Sequence, residues 1–532
     1  MLHPPGAQFA GAIGIPHLCP MRISQLYEIF LRHPSVVTDT RQLKQGDLFF
    51  ALKGPNFNGN EFALRALELG AAYAVIDEAP ATGGDAGSGA PVAGARDLSD
   101  RLIQVADVLG TLQELALHHR KQFNIPFIAI TGSNGKTTTK ELVHAVLSSA
   151  YLTYTTKGNL NNHIGVPLTI LSVRADAEFA VIEMGANHQK EIEGYCRYTL
   201  PTHGIITNIG KAHLEGFGGP EGVKKGKGEL YDWLRDNGGT AFVLQDSADL
   251  RQMSRGIAHI ITYGAKDADY TGVISRQAHA PATRGPQAAG AGAIPGAHFI
   301  ASQSAGAGTP ETTGAGAAAT TGAGAAATHG TGAPATGGAQ AADTSSFLNV
   351  EITHGATTGT IHTQLVGDYN LPNVLVAVAV GKHFGVSDAK IHRSIEQYTP
   401  SNSRSQLIQR DGNHIILDAY NANPSSMRAA IENFARLPVA GDGFDQKILI
   451  LGAMAELGPE SINEHRAIVS LIGQYPWHEV ALVGGDFEKI DHPYLRFGDS
   501  KEAAAWLTRT GYHNVYMLIK GSRSSKMELV LG

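Results

Sequence analysis

The chain has 532 residues, which exceeds what one compact hydrophobic core accommodates and fits three domains of roughly 150 residues each. Its 42 Lys and Arg against 48 Asp and Glu give a net charge of -6, which excludes the strong basic field that nucleic acid or an anionic membrane surface requires. Two cysteines, Cys19 and Cys196, exclude a disulfide framework and favour a reducing compartment such as the cytoplasm.

The N-terminal part of the chain is predicted to contain a leader and a small α/β domain. Residues 1–20 carry no Lys or Arg and no long apolar run, so we assign them neither a secretory signal nor a function. Within residues 21–110, apolar runs at 48–52 and 74–76 predict strands, and the apolar spacing over 61–69 predicts the helix between them. No apolar stretch in the chain suits a transmembrane helix, so no integral membrane association is expected.

Residues 111–401 are predicted to form a central, doubly wound domain. A buried strand at 127–130 leads into a glycine-rich turn and a helix from 137 to 149. Further apolar runs at 180–182, 204–206 and 241–244 alternate with helical patterns, which is typical of a largely parallel sheet. Ligands of such sheets bind at the C-terminal ends of the strands.

Residues 277–346 interrupt the central domain with a sequence of very different composition. The segment consists mainly of Ala, Gly and Thr and has almost no large apolar residue. Such a segment cannot bury enough apolar surface to offset the entropy of ordering its backbone. We therefore predict a disordered surface insertion.

A third α/β unit, Rossmann-like in pattern, is predicted over residues 402–532. An apolar helix at 370–384 precedes it. Its predicted strands lie at 414–417, 447–451, 480–483 and 515–519. The predicted fold is therefore three α/β domains in series, with a P-loop ATPase-like sheet in the centre.

The glycine-rich turn after the strand at 127–130 has the composition of a phosphate-binding loop. Gly132 and Gly135 allow backbone N–H groups to approach phosphate oxygens, Lys136 balances phosphate charge, and Thr137 can bind Mg²⁺. The spacing G-x-x-G-K-T is shorter than the usual P-loop, and the alternative is an ordinary glycine turn that caps a helix. The predicted ATP-binding residues of this loop are Gly132, Ser133, Asn134, Gly135, Lys136, Thr137 and Thr138.

Two side chains that follow predicted strands are candidates for a metal site. Glu183 ends the predicted strand at 180–182, beside the phosphate loop, and Mg²⁺ prefers oxygen ligands of this kind. A surface carboxylate after a strand is also common. His213, in the segment 207–215, is on its own better explained as a structural or solvated histidine.

These blocks together resemble the Mur ligase family, over residues 21–532 apart from the insertion. The segment 131–138 is similar to that family's ATP motif, which has the shorter spacing found here, and 183–186 is similar to another of its blocks. A further similar block spans 158–169. The resemblance implies that substrate is bound there by Asn159, Asn161 and Asn162.

The resemblance also implies a metal site that contains a modified lysine. In this family a glutamate, a histidine and a lysine carrying CO₂ as a carbamate hold a metal, which corresponds here to Glu183, His213 and Lys227, with Thr137 on Mg²⁺. Two Mg²⁺ ions and a CO₂-derived carbamate on Lys227 are expected. Lys224 and Lys225 leave the choice of lysine open, and a solvated basic helix face is the alternative. The implied catalytic residues are Lys136, His213 and Lys227.

Other blocks are similar to those of the family members that add D-alanyl-D-alanine. They include D-A-Y-N-A-N-P-S-S-M at 418–427, L-G-A-M-A-E-L-G at 451–458 and K-G-S-R at 520–523. The first implies substrate binding by Asn421, Asn423 and Ser425. The resemblance further implies nucleotide binding by Asn370, Asn373 and Arg404, and UDP binding by Thr40 and Arg41.

The function that the resemblance implies is ATP-dependent amide formation in peptidoglycan precursor synthesis. The enzyme would join D-alanyl-D-alanine to a UDP-N-acetylmuramoyl-tripeptide through an acyl phosphate. It is expected to be a cytoplasmic monomer without a nucleic-acid partner. The alternatives are a ligase that adds the third residue, a folylpolyglutamate synthase, or a non-catalytic nucleotide-binding module. The sequence leaves open the third residue of the tripeptide.

Removal of the insertion tests the prediction of disorder. Replacing residues 280–342 by a short Gly/Ser linker should barely change the activity or the melting temperature, because loop-closure entropy depends weakly on loop length. Calorimetry of the shortened and full-length chains measures the melting temperature, and an activity assay compares their turnover. A fall of many degrees would contradict the prediction by showing that the segment packs on the rest of the chain.

Overall fold

The computed structural model describes residues 21–80, 98, 100–275, 347–401, 403–437 and 446–532. The predictions for residues 1–20 and for the insertion at 277–346 lie outside the described residues. Within the described ranges, no helix combines the length and the apolar character needed to cross a membrane.

The N-terminal domain is built on a four-stranded parallel sheet whose strands pair in chain order. Its second strand is buried along its whole length, which explains the continuous apolar run in the sequence. The strands are Val36–Val37, Leu48–Phe50, Tyr73–Ile76 and Leu102–Gln104, with a separate ribbon of Lys53–Gly54 and Phe57–Asn58. The helices are Ile23–Arg32 and Ala63–Glu68, with 3-10 turns at Thr40–Gln42 and Gly59–Phe62.

One helix, Val108–Arg120, connects the first domain to the second. The Asp107 side chain caps it by accepting hydrogen bonds from two backbone N–H groups of its first turn. The helix packs against Ile23–Arg32 on one side and against Gly165–Ser172 of the central domain on the other. The domain boundary predicted at residue 110 falls inside this helix.

The central domain contains a nine-stranded sheet. Eight strands run in the same direction, and the strand Phe347–His354 pairs antiparallel with both of its neighbours. Across the sheet the order is Thr360–Val366, Phe347–His354, Tyr270–Ile274, His259–Gly264, Thr240–Leu244, His203–Ile206, Phe127–Thr131, Phe179–Glu183 and Thr153–Thr155. The helices after the connecting helix are Lys136–Ser148, Gly165–Ser172, Glu191–Thr199, Leu214–Phe217, Pro220–Asp236, Ala248–Met253, Leu371–His383 and Asp388–Gln397, with a 3-10 turn at Asp368–Asn370.

The C-terminal domain contains a six-stranded sheet with one antiparallel edge strand, Gln406–Arg410. The order across the sheet is Gln406–Arg410, Asn413–Asp418, Tyr516–Lys520, Lys447–Gly452, Glu479–Val483 and Leu495–Phe497. Its helices are Pro424–Arg436, Ser461–Ile472 and Ser500–Thr510, with 3-10 turns at Gly458–Glu460, Gly485–Phe487, Arg523–Ser525 and Met527–Leu531. The predicted strands and helices are confirmed, with bounds that differ by no more than two residues.

Candidate functional site

The phosphate loop follows the buried strand Phe127–Thr131 and ends at the first turn of the helix Lys136–Ser148. Gly132 and Gly135 have φ of 140° and 78°, which side chains other than glycine rarely adopt. A Cβ at Gly132 would lie 2.0 Å from Thr207 Oγ1. The loop thus requires glycine there, and it leaves the N–H groups of the helix N-terminus available to an anion.

Lys136 is the first residue of this helix and is half-buried. Its Nζ donates hydrogen bonds to the carbonyl oxygens of Gly132, at 2.8 Å, and Ser133, at 3.4 Å. Burial lowers the pKa of Lys136, Glu183 opposes that shift, and Arg404 adds to it. A phosphate group at the loop would stabilise the charged form of this lysine.

Glu183 is the last residue of the strand Phe179–Glu183 and is 1% exposed. Its Oε2 accepts a hydrogen bond from Thr137 Oγ1 at 2.9 Å, and its Oε1 accepts one from Asn161 Nδ2 at 2.7 Å. The strand lies beside Phe127–Thr131 in the sheet, so the C-terminal ends of the two strands meet. The structure therefore brings together Thr137 and Glu183, the two predicted oxygen ligands of Mg²⁺.

His213 and Lys227, the other two predicted metal ligands, lie further along the chain. His213 directly precedes the short helix Leu214–Phe217, and Lys227 belongs to the helix Pro220–Asp236. His213 is in the left-handed conformation, with φ of 52°, and its Nδ1 contacts the carboxylate of Glu456 in the C-terminal domain. Lys227 is 1% exposed, and its Nζ donates to the Ala186 carbonyl oxygen at 2.9 Å. Burial holds the pKa of Lys227 well below its usual range, and the nearby charge of Lys136 lowers it further.

The two neighbouring lysines differ from Lys227 in their surroundings. Lys224 Nζ forms an ion pair with Asp249 at 2.6 Å, and Lys225 is exposed. Lys227 alone of these three lysines is buried, on the inner face of the helix Pro220–Asp236.

The predicted nucleotide-binding asparagines lie behind the phosphate loop. Asn373 Nδ2 donates to Asn370 Oδ1 at 2.9 Å, and Asn373 Oδ1 accepts from Thr139 Oγ1 at 3.1 Å. Arg404 comes from the opposite side, with its guanidinium 3.6 Å from the centre of the Tyr420 ring. That stacking restricts the orientation of the arginine side chain, which lines the same cavity as the loop and the asparagines.

One cavity of about 600 Å³ joins these groups, with walls from the central and C-terminal domains. Gly132 and Lys227 are not on its wall, although Ala186, the hydrogen-bond partner of Lys227, is. The predicted site residues that line the cavity are Ser133, Asn134, Gly135, Lys136, Thr137, Thr138, Asn159, Asn161, Asn162, Glu183, His213, Asn370, Asn373, Arg404, Asn421, Asn423 and Ser425.

The predicted UDP-binding residues lie apart from this cavity. Thr40 and Arg41 belong to a 3-10 turn of the N-terminal domain, and neither lines the cavity. The Arg41 side chain is 87% exposed and pairs with Asp39 at 2.7 Å.

An ion pair on the cavity wall was not among the predicted site residues. Lys520 Nζ donates to Asp418 Oδ2 at 2.6 Å and to the Asn421 carbonyl oxygen at 3.2 Å. Asp418 and Lys520 are the last residues of two adjacent strands and are paired in register. The sequence contained the signal, because a charged residue that ends a buried apolar strand of a parallel sheet points to the ligand-binding edge.

Comparisons with protein families match three parts of the chain. Residues 34–120 match the "Mur ligase family, catalytic domain", residues 130–285 the "Mur ligase middle domain", and residues 403–523 the "Mur ligase, glutamate ligase domain". Each match covers most of the strands of one of the three large sheets.

Curated relatives are similar along almost the whole chain. The UDP-N-acetylmuramoyl-tripeptide--D-alanyl-D-alanine ligase of Bacillus subtilis is 30% identical, with 95% of this chain and 93% of the relative covered. The Escherichia coli ligase of the same name is 30% identical, with 93% and 92% covered.

Solved structures agree with the architecture. MurF from Acinetobacter baumannii has a TM-score of 0.69 and 26% identity, with 93% of this chain and 92% of that chain covered. The MurF ligase of Thermotoga maritima in complex with ADP has a TM-score of 0.69, with 94% and 97% covered, and at 22% identity its likeness concerns the fold.

Proposed function

The chain belongs to the Mur ligase family, and from that membership we propose that it uses ATP to join D-alanyl-D-alanine to a UDP-N-acetylmuramoyl-tripeptide. The observation that carries the proposal is the single cavity that joins the phosphate loop to the segment 418–427 of the C-terminal domain. The same cavity therefore contains side chains that can bind a nucleotide, from the central domain, and side chains that can contact an incoming amine, from the C-terminal domain. The reaction belongs to the synthesis of peptidoglycan precursors in the cytoplasm.

The reaction has two steps. A terminal carboxylate oxygen of the tripeptide attacks the γ-phosphorus of ATP, the bond to the β–γ bridging oxygen breaks, and an acyl phosphate and ADP form. The amine of D-alanyl-D-alanine then attacks the acyl carbon, loses a proton and expels phosphate, which leaves an amide. Lys136 and the N-terminus of its helix stabilise the negative charge that develops on the phosphoryl oxygens.

The residues at the sheet edge fit Mg²⁺, since Glu183 and Thr137 present oxygen atoms side by side and Glu183 is buried. We propose that two Mg²⁺ ions bind here, with Thr137, Glu183, His213 and a carbamate on Lys227 as their ligands. The bound cations would neutralise charge on the phosphates. Hydrogen bonds from Thr137 and Asn161 hold the carboxylate of Glu183 in place.

The surroundings of Lys227 support the carbamate. CO₂ reacts with a neutral amine, and burial lowers the pKa of Lys227, which raises the fraction of that form. The nitrogen lone pair attacks the carbon of CO₂, and loss of a proton leaves an anionic carbamate. Lys224 is paired with Asp249 and Lys225 is exposed, so neither shares this environment.

The three domains divide the substrates in this proposal. The N-terminal domain, with Thr40 and Arg41, binds the UDP end of the acceptor, and the central domain binds ATP through its loop and through Asn370 and Asn373. Asn159 and Asn162 line the cavity, which supports the proposal that they contact the acceptor peptide. The C-terminal domain supplies Arg404 to the nucleotide and Asn421 to the incoming dipeptide, and its closure excludes water from the acyl phosphate.

A substrate panel tests the proposed function. The purified protein is given ATP, Mg²⁺ and UDP-linked dipeptide or tripeptide acceptors with lysine or diaminopimelate as the third residue, each with single amino acids or with D-alanyl-D-alanine. We expect phosphate release and a new amide, weighed by mass spectrometry, only with a tripeptide and D-alanyl-D-alanine together. Products from a dipeptide acceptor plus a free amino acid would instead indicate a ligase that adds the third residue.

A further inference from the structure

Asn423 and Ser425 contact the central domain directly. Asn423 Nδ2 donates to Asn134 Oδ1 of the phosphate loop at 2.7 Å. Ser425 Oγ accepts a hydrogen bond from the Lys211 backbone N–H at 2.9 Å. We call these two contacts the docking joint, because they attach the start of the helix Pro424–Arg436 to two loops of another domain.

The two loops at the docking joint are themselves tied together. Ser133 Oγ donates to the Gly210 carbonyl oxygen at 3.0 Å and accepts from the Gly210 N–H at 2.9 Å. The Asn134 N–H donates to Asn208 Oδ1 at 3.0 Å. A Cβ at Gly210 would lie 3.0 Å from Ser425 Oγ, so the serine packs closely there. The phosphate loop and the loop that contains Asn208 and Gly210 therefore form one surface, and the C-terminal domain contacts that surface.

The amide of Asn423 is engaged by the protein at both ends. Its Oδ1 accepts from the Ser426 N–H at 2.9 Å, which caps the helix, while its Nδ2 binds Asn134. The residue is 6% exposed. Asn421, two positions earlier, is exposed on the cavity wall. Binding of a ligand by Asn423 would compete with contacts that hold the domain in place.

We propose that Asn423 and Ser425 are positioning residues, which couple docking of the third domain to the phosphate loop instead of binding the dipeptide. The inference rests on the proposed ligase function. A nucleotide that orders Ser133 and Asn134 stabilises the surface on which the third domain docks, and docking brings Arg404 over the nucleotide. Without the joint, the domain closes poorly and water reaches the acyl phosphate.

The first test measures how tightly ATP use is coupled to amide formation. Asn423→Ser keeps the helix cap, because serine caps helices well, but its side chain is too short to reach Asn134. We expect this variant to release several-fold more ADP than amide, whereas the unsubstituted protein releases equal amounts. Arg428→Ala, on the exposed face of the same helix, should keep the two amounts equal. Equal amounts in Asn423→Ser, with only a raised KM for D-alanyl-D-alanine, would overturn the proposal.

The second test needs neither acceptor nor amine. ADP affinity is measured by calorimetry for Asn134→Ala, Asn423→Ser and the double variant. Each single change should weaken ADP binding roughly 3-fold to 10-fold. The double variant should bind ADP no more weakly than the weaker-binding single variant, because both substitutions remove the same hydrogen bond. If the two losses of ADP affinity multiplied in the double variant, that result would contradict the coupling. Failure of the proposed function would give a different result, because the unsubstituted protein would then form no amide.

Discussion

Lys136→Ala is expected to lower the rate of ADP formation roughly 100-fold or more while leaving the melting temperature almost unchanged. The substitution removes the cation beside the phosphate loop, where charge develops as the γ-phosphoryl group is transferred. The hydrogen bonds of the lysine go to two loop carbonyl groups, and burial already opposes its charge, so we expect the fold not to depend on it. A coupled ADP assay with both co-substrates measures the rate.

Lys121→Ala serves as the matched control, because Lys121 is exposed on the same domain and does not line the cavity. It should retain full activity. Turnover near normal in Lys136→Ala would show that Lys136 does not act on the phosphates. A large fall in the melting temperature of that variant would instead assign the lysine a structural role.

Lys227→Ala is expected to lose most activity and to regain part of it when formate or acetate is added. A small carboxylate can occupy the place of the missing carbamate, whereas it cannot replace a lysine that acts through its positive charge. An unmodified ammonium group would repel Mg²⁺ at this position. A ¹³C resonance from protein equilibrated with ¹³C-bicarbonate provides a readout of the carbamate that does not depend on turnover.

Three variants control for packing and for the choice of lysine. Lys227→Met keeps an unbranched chain of similar length beside the Phe217 ring, so it should fold normally, remain inactive and lack the ¹³C resonance. Lys224→Ala and Lys225→Ala should keep both the activity and the resonance. Full activity in Lys227→Ala, or a rescuable defect in Lys225→Ala, would show that the assignment to Lys227 is wrong.

The elements of the fold were predictable wherever the strands are buried on both faces. The runs that became Phe127–Thr131 and Phe179–Glu183 are continuous and apolar, and the observed bounds match the predicted ones closely. The antiparallel hairpin of Phe347–His354 and Thr360–Val366 was not predicted. These strands alternate buried and more exposed residues. Phe347–His354 also pairs with Tyr270–Ile274, on the other side of a long insertion, so its place in the sheet depends on contacts that are distant in sequence.

The sequence by itself determined the chemistry of the phosphate loop and the position of Glu183 at the end of a strand. Both are local properties, because glycine spacing, a following helix and a carboxylate after an apolar run lie within a few residues of one another.

Tertiary structure alone decided which lysine is buried and which residues the N-A-N-P-S segment contacts. Lys224, Lys225 and Lys227 occupy one helix, and only packing against the sheet separates their environments. Asn423 meets Asn134 across 289 positions of sequence, at a contact between two domains that no local pattern encodes. Burial and long-range hydrogen bonds arise when separate elements meet, which is why residue type and spacing identified these side chains without assigning their partners.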